Sequence, residues 1–449
     1  MARKRRFLVV IILFSIICTV GLFFPNKVET DVKDPNINFS DVAWLLTASG
    51  LVLLMTPGLS FFYGGMVSKK NIISTMLQSF IALGVITVLF VSVGFSLCFG
   101  ESFHGLIGNP FDFMFFRNVT LATNKALAPT IPLMLFAVFQ MKFAIITPAL
   151  ITGSFAERVK FNAYLVFIIL FSIFIYCPLA HWTWHPDGFL HKWGVLDFAG
   201  GTVVHMSAGY AALAGAIFLG PRTGFSDNKH SEPANIPYVI LGTGMLWFGW
   251  FGFNSGSALG ANTTAVLAFV TTVVASAAAM MSWIFFDAAR GKKVSAMGAC
   301  IGAVVGLVAI TPAAGYVSIT QALFIGFISS IVSNLAVRAK NRSSLDDTLD
   351  VFPCHGVGGI VGMILTGVFA KDVGLYYGHT TTFFYHMLAL VIVSVFSFGG
   401  SYILYIITDK IVPLRVSHED ELEGLDFTQH GERYKLKTPQ LEIPFQQQN

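Results

Sequence analysis

Apolar residues run in long blocks along this chain, and the charges collect in the short polar stretches between them. A helix needs about 20 mostly apolar residues to cross a bilayer. From Val42 onward the pattern predicts eleven such segments, near 42–66, 72–100, 129–153, 161–182, 199–220, 236–256, 263–287, 296–311, 319–338, 355–370 and 382–408. A different unit precedes them. Ala2-Arg3-Lys4-Arg5-Arg6 is a compact basic run, followed by apolar residues from Phe7 to about Phe24 and a polar segment from Pro25 to Asp41. Basic then apolar is the layout of a secretory signal, although the apolar part is long and no clean A-x-A-like site follows it. Residues 1–25 therefore read as a signal peptide or an uncleaved leader helix. Residues 26–41 read as an extracytoplasmic segment either way, because the basic run stays inside.

The basic residues alternate by loop. Lys69 and Lys70 follow the first predicted span, Arg158 and Lys160 the third, and Arg222 and Lys229 the fifth. Arg290, Lys292 and Lys293 follow the seventh, and Arg338, Lys340 and Arg342 the ninth. The other loops carry fewer, such as Arg117, Lys125, Lys192 and Lys371. Because cytoplasmic loops are enriched in Lys and Arg, the first span starts outside and the tail, residues 409–449, ends in the cytoplasm. This check on the span count is independent of hydropathy. Five spans followed by five more gives two halves of opposite orientation, the arithmetic of an inverted repeat, which places a pathway where the halves meet. Local echoes agree: Phe61-Phe62-Tyr63-Gly64-Gly65 resembles Phe251-Gly252-Phe253-Asn254-Ser255-Gly256, and Asp197 before His205 is mirrored by Asp350 before His355.

Composition narrows the class. Only 12% of the 449 residues are charged and 55% are hydrophobic, against about 25% charged in soluble domains. A net charge of +4, dispersed along the chain, gives no footprint for nucleic acid. Disordered and fibrous classes fail on the apolar content, and long apolar runs favour helices over a barrel. The chain is expected to be an all-α polytopic membrane protein, placed in the inner or plasma membrane, with residues 42–408 as its helical domain. The five cysteines lack CxxC spacing and read as packing residues, so neither a zinc site nor a disulfide framework is expected. The 42 glycines, Gly358 and Gly362 among them, let helices approach closely.

Ionisable groups within spans are costly and default to functional candidates. His205 and His355 stand out. In an apolar interior the neutral imidazole is favoured, and it keeps one N–H donor and one acceptor. Two facing rings could share a proton along an apolar bore; each alone could equally be a hydrogen-bonded core residue. Asp197 could bind a cation or cap the fifth helix, since helix N-termini favour acidic residues. Lys142 falls near the middle of the third span, where it could snorkel or face a subunit contact. His181, His185 and His191 crowd an outer loop, but Pro186 ends the helix that metal-ligand spacing needs, and Trp182 and Trp184 suit an interfacial aromatic belt. No nucleophile with an ordered base, phosphate loop or metal cluster suggests an enzyme.

Three long strings, in this order, resemble the signatures of the ammonium transporter family: Asp197-Phe198-Ala199-Gly200-Gly201-Thr202-Val203-Val204-His205, Gly249-Trp250-Phe251-Gly252-Phe253-Asn254-Ser255-Gly256-Ser257 and Asp350-Val351-Phe352-Pro353-Cys354-His355-Gly356. The resemblance runs from about Val42 to Tyr434. It implies eleven helices in an inverted five-plus-five repeat, a homotrimer with one pore per subunit, and no cofactor. By position, Trp184, Phe139, Phe143 and Ser257 would form an outer ammonium site supported by Asp197. Phe143 and Phe253 would form a stacked gate below it. Trp250 and Thr311 would line the path, and His205 and His355 would be the twin pore histidines. Lys142 departs from the pattern, which expects an uncharged residue beside the gate. Gly424-Leu425-Asp426 and His430-Gly431-Glu432 resemble the family's tail, which in some members contacts PII-type signalling proteins; beyond Tyr434 the chain reads as a flexible end. Two related readings are an Rh-type ammonia/CO2 channel, disfavoured by the Asp197–His205 string and Trp184, and an ammonium sensor signalling through its tail.

Overall fold

The computed structural model describes residues 2–24, 32–225 and 232–434, with side chains from residue 11 onward. Lys229, the first part of the polar segment after Phe24 (residues 25–31) and the end beyond Tyr434 lie outside the described residues.

The predicted apolar blocks become helices. After α1 (Ala2–Gly21) come α2 (Phe39–Met66), α3 (Ile72–Phe99), α4 (Leu133–Phe155) and α5, built from Phe161–Phe171, a π-helical turn Ser172–Tyr176 and Cys177–Trp184. Then follow α6 (Gly201–Leu219), α7 (Ile236–Gly256), α8 (Thr263–Ala289), α9 (Ala296–Ile310), α10 (Ile319–Asn341), α11 (Phe352–Phe369) and α12 (Thr380–Ile411). Two short helices, α13 (His418–Glu423) and α14 (Leu425–His430), close the described chain. Polar residues at the boundaries set where helices begin. Asn38 accepts from the Ser40 and Asp41 N–H groups at the start of α2, and Asn262 accepts from Ala265 at the start of α8. Ser318 and Gln321 form a reciprocal capping box on α10.

Among the described residues, ten helices are long and apolar enough to cross a membrane. The eighth predicted segment becomes α9, only 15 residues. At 1.5 Å per residue that is about 22 Å, short of a hydrocarbon core of about 30 Å. The third predicted span also starts later than its hydropathy suggests. Ala128–Pro132 is strand β4, paired antiparallel with β3 (Thr123–Asn124) in the loop before α4, where a second small hairpin pairs β1 (Ser102–Phe103) with β2 (Ile107–Gly108).

Burial shows which helices are central. The apolar window of α4 is 83% buried and that of α6 is 78%, whereas that of α12 is 33%, so α4 and α6 form the interior and α12 the periphery. The halves meet through backbone contact. A Cβ at Gly65 of α2 would sit 2.6 Å from the Asn235 carbonyl at the start of α7. A Cβ at Gly209 of α6 would run into the backbone of Gly356 in α11. Only glycine at these points lets the paired helices touch.

Candidate functional site

The site forms where α6 and α11 cross, because both helices open with π-helical turns, Gly201–Met206 and Phe352–Gly356. Single π-turns inside helices are frequent at functional sites. Each turn carries one of the two histidines. The Gly209–Gly356 contact draws the turns together, and the rings of His205 and His355 lie 5.4 Å apart, nearly parallel, with their Nδ1 atoms at 3.3 Å. One ring donates and the other accepts. His205 Nε2 is buried without a protein partner.

Aromatic rings continue from this pair. Trp250 stacks on His205 at 5.3 Å, and Phe253 lies 6.1 Å from it on the same helix. Phe253 meets Phe143 at 4.3 Å, Phe143 meets Phe139 at 5.0 Å, and Phe143 meets Trp184 edge-on at 5.6 Å. Phe139, Phe143, Phe253, Trp250 and both histidines are almost fully buried, whereas Trp184 and Ser257 keep partial exposure. The chain of rings thus runs from an accessible end at Trp184 to a closed end at the histidines. Hydrogen bonds join the remaining candidates to it. Trp250 Nε1 donates to Thr311 Oγ1 at 2.9 Å, Ser257 Oγ donates to the Phe253 carbonyl at 2.8 Å, and Trp184 Nε1 donates to the Asp197 carbonyl at 3.1 Å. The ten residues that the family resemblance pointed to therefore belong to one connected cluster.

Asp197 is fully engaged by its own helix. Its carboxylate accepts from the N–H groups of Gly200 (2.8 Å), Gly201 (2.6 Å) and Thr202 (2.7 Å) and from the Thr202 hydroxyl (2.5 Å). It satisfies the orphan donors at the start of α6. Gly200, at φ +116, makes the left-handed entry that this geometry requires. The counterpart on α11 differs from the expected one. Asp350 pairs with Lys340 at 2.6 Å, while Asp347 Oδ2 accepts from the Phe352 N–H at 2.7 Å. Asp347 precedes His355 by eight residues, the same offset as Asp197 from His205, so the repeat is in register at Asp347 rather than at Asp350. Burial pushes the Asp347 carboxyl up to about 6, against the opposing pull of Lys340.

Sequence reading passed over a further buried histidine within a span. His386, in α12, accepts at Nε2 from the Leu196 N–H (2.9 Å), and its Nδ1 faces the Met363 carbonyl (3.0 Å). It braces the loop that carries Asp197. Its position inside the predicted segment 382–408 was the available signal. His181 lies not in a loop, as the sequence suggested, but in the last turns of α5, where it contacts the Cys98 carbonyl (2.9 Å) and Ser102 Oγ (2.7 Å) and stacks on His185. Lys142 shares a partly exposed stripe with Met134 and Val138, at helical spacing, while Phe139 and Phe143 occupy the buried face of α4.

Fold and site together define a polytopic membrane protein whose halves meet at a buried histidine pair beneath stacked aromatic rings. The model of the Ammonium Transporter Family matches residues 43–435. The ammonium transporter of Aquifex aeolicus is 44% identical over 408 residues, covering 89% of this chain and 94% of that protein. That of Bacillus subtilis is 40% identical, covering 88% of this chain and 98% of that protein. The crystal structure of Saccharomyces cerevisiae Mep2 superposes with a TM-score of 0.81 at 34% identity, covering 86% of this chain and 89% of Mep2. A structure described as a sensor Amt protein superposes with a TM-score of 0.80 at 32% identity, covering 86% and 97%. The chain belongs to the ammonium transporter family.

Proposed function

We propose that this chain takes up ammonium, strips it of a proton near the aromatic gate, and conducts ammonia past the twin histidines. The observation that carries this reading is the His205–His355 contact, closed off on one side by Phe143 and Phe253. Potassium and ammonium have the same charge and similar size, so a plain cation pore would pass both. An unpaired ion in a low-dielectric interior costs tens of kcal/mol by idealised Born estimates. Ammonium escapes that cost by leaving its proton behind, which potassium cannot do. Trp184, the partly exposed member of the ring chain, offers the cation a π-face, assisted by Phe139, Phe143 and the Ser257 hydroxyl. The Asp197 carboxylate is occupied by α6, so its role is to hold the helix entrance and to set the local field. Below the gate, neutral ammonia finds a hydrogen-bond partner in the otherwise unpaired His205 Nε2, with Trp250 and Thr311 as fixed walls. The histidine pair also supplies a route by which the proton follows separately.

The reading includes a mature N-terminus outside and a cytoplasmic tail, from the loop charges. A homotrimer and a PII-type partner at the tail rest on the family resemblance. Proteoliposomes carrying His205→Ala, compared with wild type, test the mechanism. Potassium current through the variant, or loss of ammonium transport, is the expected result. Unchanged, ammonium-selective current would overturn the histidine pathway. Wild-type ammonia flux without any current would favour the Rh-type channel reading instead.

A further inference from the structure

At the end of the bundle where α8 and α10 finish, five polar side chains surround a cavity of about 230 Å³: Arg290, Lys292, Arg338, Asn341 and Arg342. Four are cations. The neighbouring Asp287 carboxylate is taken by Lys292 at 3.3 Å and by Asn334 Nδ2 at 3.3 Å. Arg290 and Arg338 are half-buried, and each keeps an Nη1 atom buried without a hydrogen-bond partner. Elsewhere at the same end the arginines are matched: Arg158 and Arg222 with Asp346, Arg222 with Glu157, and Arg415 with Glu421. With Lys292 paired to Asp287, the pocket keeps three arginines, Arg290, Arg338 and Arg342, for which no carboxylate partner is found among the described residues, Arg290 lying over the Phe286 ring at 5.1 Å. Guanidinium forks matched to no carboxylate suit the tetrahedral oxygens of a phosphate.

The surroundings say which phosphate. Phe285 and Met281 on α8 and Leu335 on α10, one to two turns into the apolar part of the same helices, are 60%, 41% and 48% exposed. Such exposed apolar side chains, next to a basic pocket at a helix end, suit the acyl chains of a lipid. Basic pockets between transmembrane helices at the membrane surface are suited to anionic headgroups. We infer that this pocket binds the phosphate of an anionic phospholipid, its headgroup between Arg290 and Arg338 and its chains along Phe285 and Leu335.

The test uses the full chain, delipidated in neutral detergent, with native mass spectrometry and thermal unfolding as readouts. Phosphatidylglycerol, phosphatidylcholine and inorganic phosphate are added separately. Phosphatidylglycerol is expected to bind tighter than phosphatidylcholine by on the order of tenfold or more. The R290Q/R338Q variant should lose that preference, and Lys410→Gln, an exposed cation at the same end, should keep it. Arg342→Gln, a change at an exposed position, should weaken phosphatidylglycerol binding even if the double variant folds poorly. Equal binding of both lipids by wild type, or unaltered preference in R342Q and the double variant, overturns the site. Stabilisation by inorganic phosphate equal to that by phosphatidylglycerol overturns the lipid assignment and makes the ligand a soluble phosphate.

Discussion

At the scale of single residues, each proposed pore group is held in place by a partner of a different kind. Trp184 is pinned through Nε1 to the Asp197 carbonyl, Trp250 to Thr311, and the histidines to each other. Pinning fixes the ring planes, so little ordering entropy remains to be lost when a ligand arrives. A cation over an aromatic face gains about 0.5–2 kcal/mol. Trp184→Leu is therefore expected to raise the half-saturation concentration for ammonium-evoked current roughly 2- to 30-fold, with an unaltered elution profile on size exclusion. An unchanged half-saturation would remove the cation–π contribution. These side chains were legible in the sequence because a polar or aromatic residue inside an apolar run is conspicuous. Their partners were not. The acceptors of Trp184 and His386 include backbone carbonyls, and carbonyls carry no residue-type signal.

At the scale of helices, hydropathy located the spans but not their internal geometry. It could not show that the eighth block folds as a helix of only 15 residues, because Pro312 and its apolar neighbours extend the block beyond the helix end at Ile310. Nor could it see β4, whose residues are as apolar as a helix start. The aspartate that holds α11 was misread for a similar reason: Asp350 is nearer to His355, whereas hydrogen bonding selects Asp347. The α6–α11 crossing depends on a contact that no side-chain pattern records. Gly209 lies against Gly356, so an added methyl forces the π-turns apart. Overpacking of this kind costs about 1–3 kcal/mol. Gly209→Ala is expected to lower the melting temperature and to abolish transport by separating the histidines. Gly84→Ala on α3, where a Cβ meets nothing within 4 Å, is the control and should leave both intact. Equal behaviour of the two variants would mean that the crossing is not what sets the histidine distance.

At the scale of the whole molecule, the loop ends of several helices are tied together by charge, and the tail is part of the tie. Arg222 joins Glu157 to Asp346, Arg415 joins Glu421 to the end of α6, and Lys70 reaches the Glu421 and Leu422 carbonyls. Asp426 caps α3 by accepting from the Ser74 N–H at 2.8 Å. The basic members of this network were legible as the alternating loop charges; their pairing across distant loops was not, because it depends on which helices are neighbours. Two opposite acid responses follow. Burial opposes the charge on Glu157 and Asp346, yet Arg222 on the first, and Arg158 with Arg222 on the second, outweigh it and hold both below the ordinary carboxylate values. Their stabilisation is complete above about pH 4.5 and is lost as the pH falls through the lowered folded values. Asp347 is reversed: its folded value of about 6 exceeds the ordinary 3.8, so the fold favours its protonated form. That stabilisation is present below about pH 4, disappears as the pH rises towards 6, and becomes a constant cost above it. Asp347→Asn keeps a carbonyl oxygen for the Phe352 N–H and removes the titration. The melting-temperature difference between Asp347→Asn and wild type should therefore be largest and in the variant's favour above pH 6, and should shrink steadily towards pH 4. The acid loss below that point should be shared by both proteins, because Glu157 and Asp346 remain in each. Parallel profiles from pH 7 to pH 4 would show that Asp347 is ionised in the folded state throughout, and that Lys340 outweighs burial at the foot of α11.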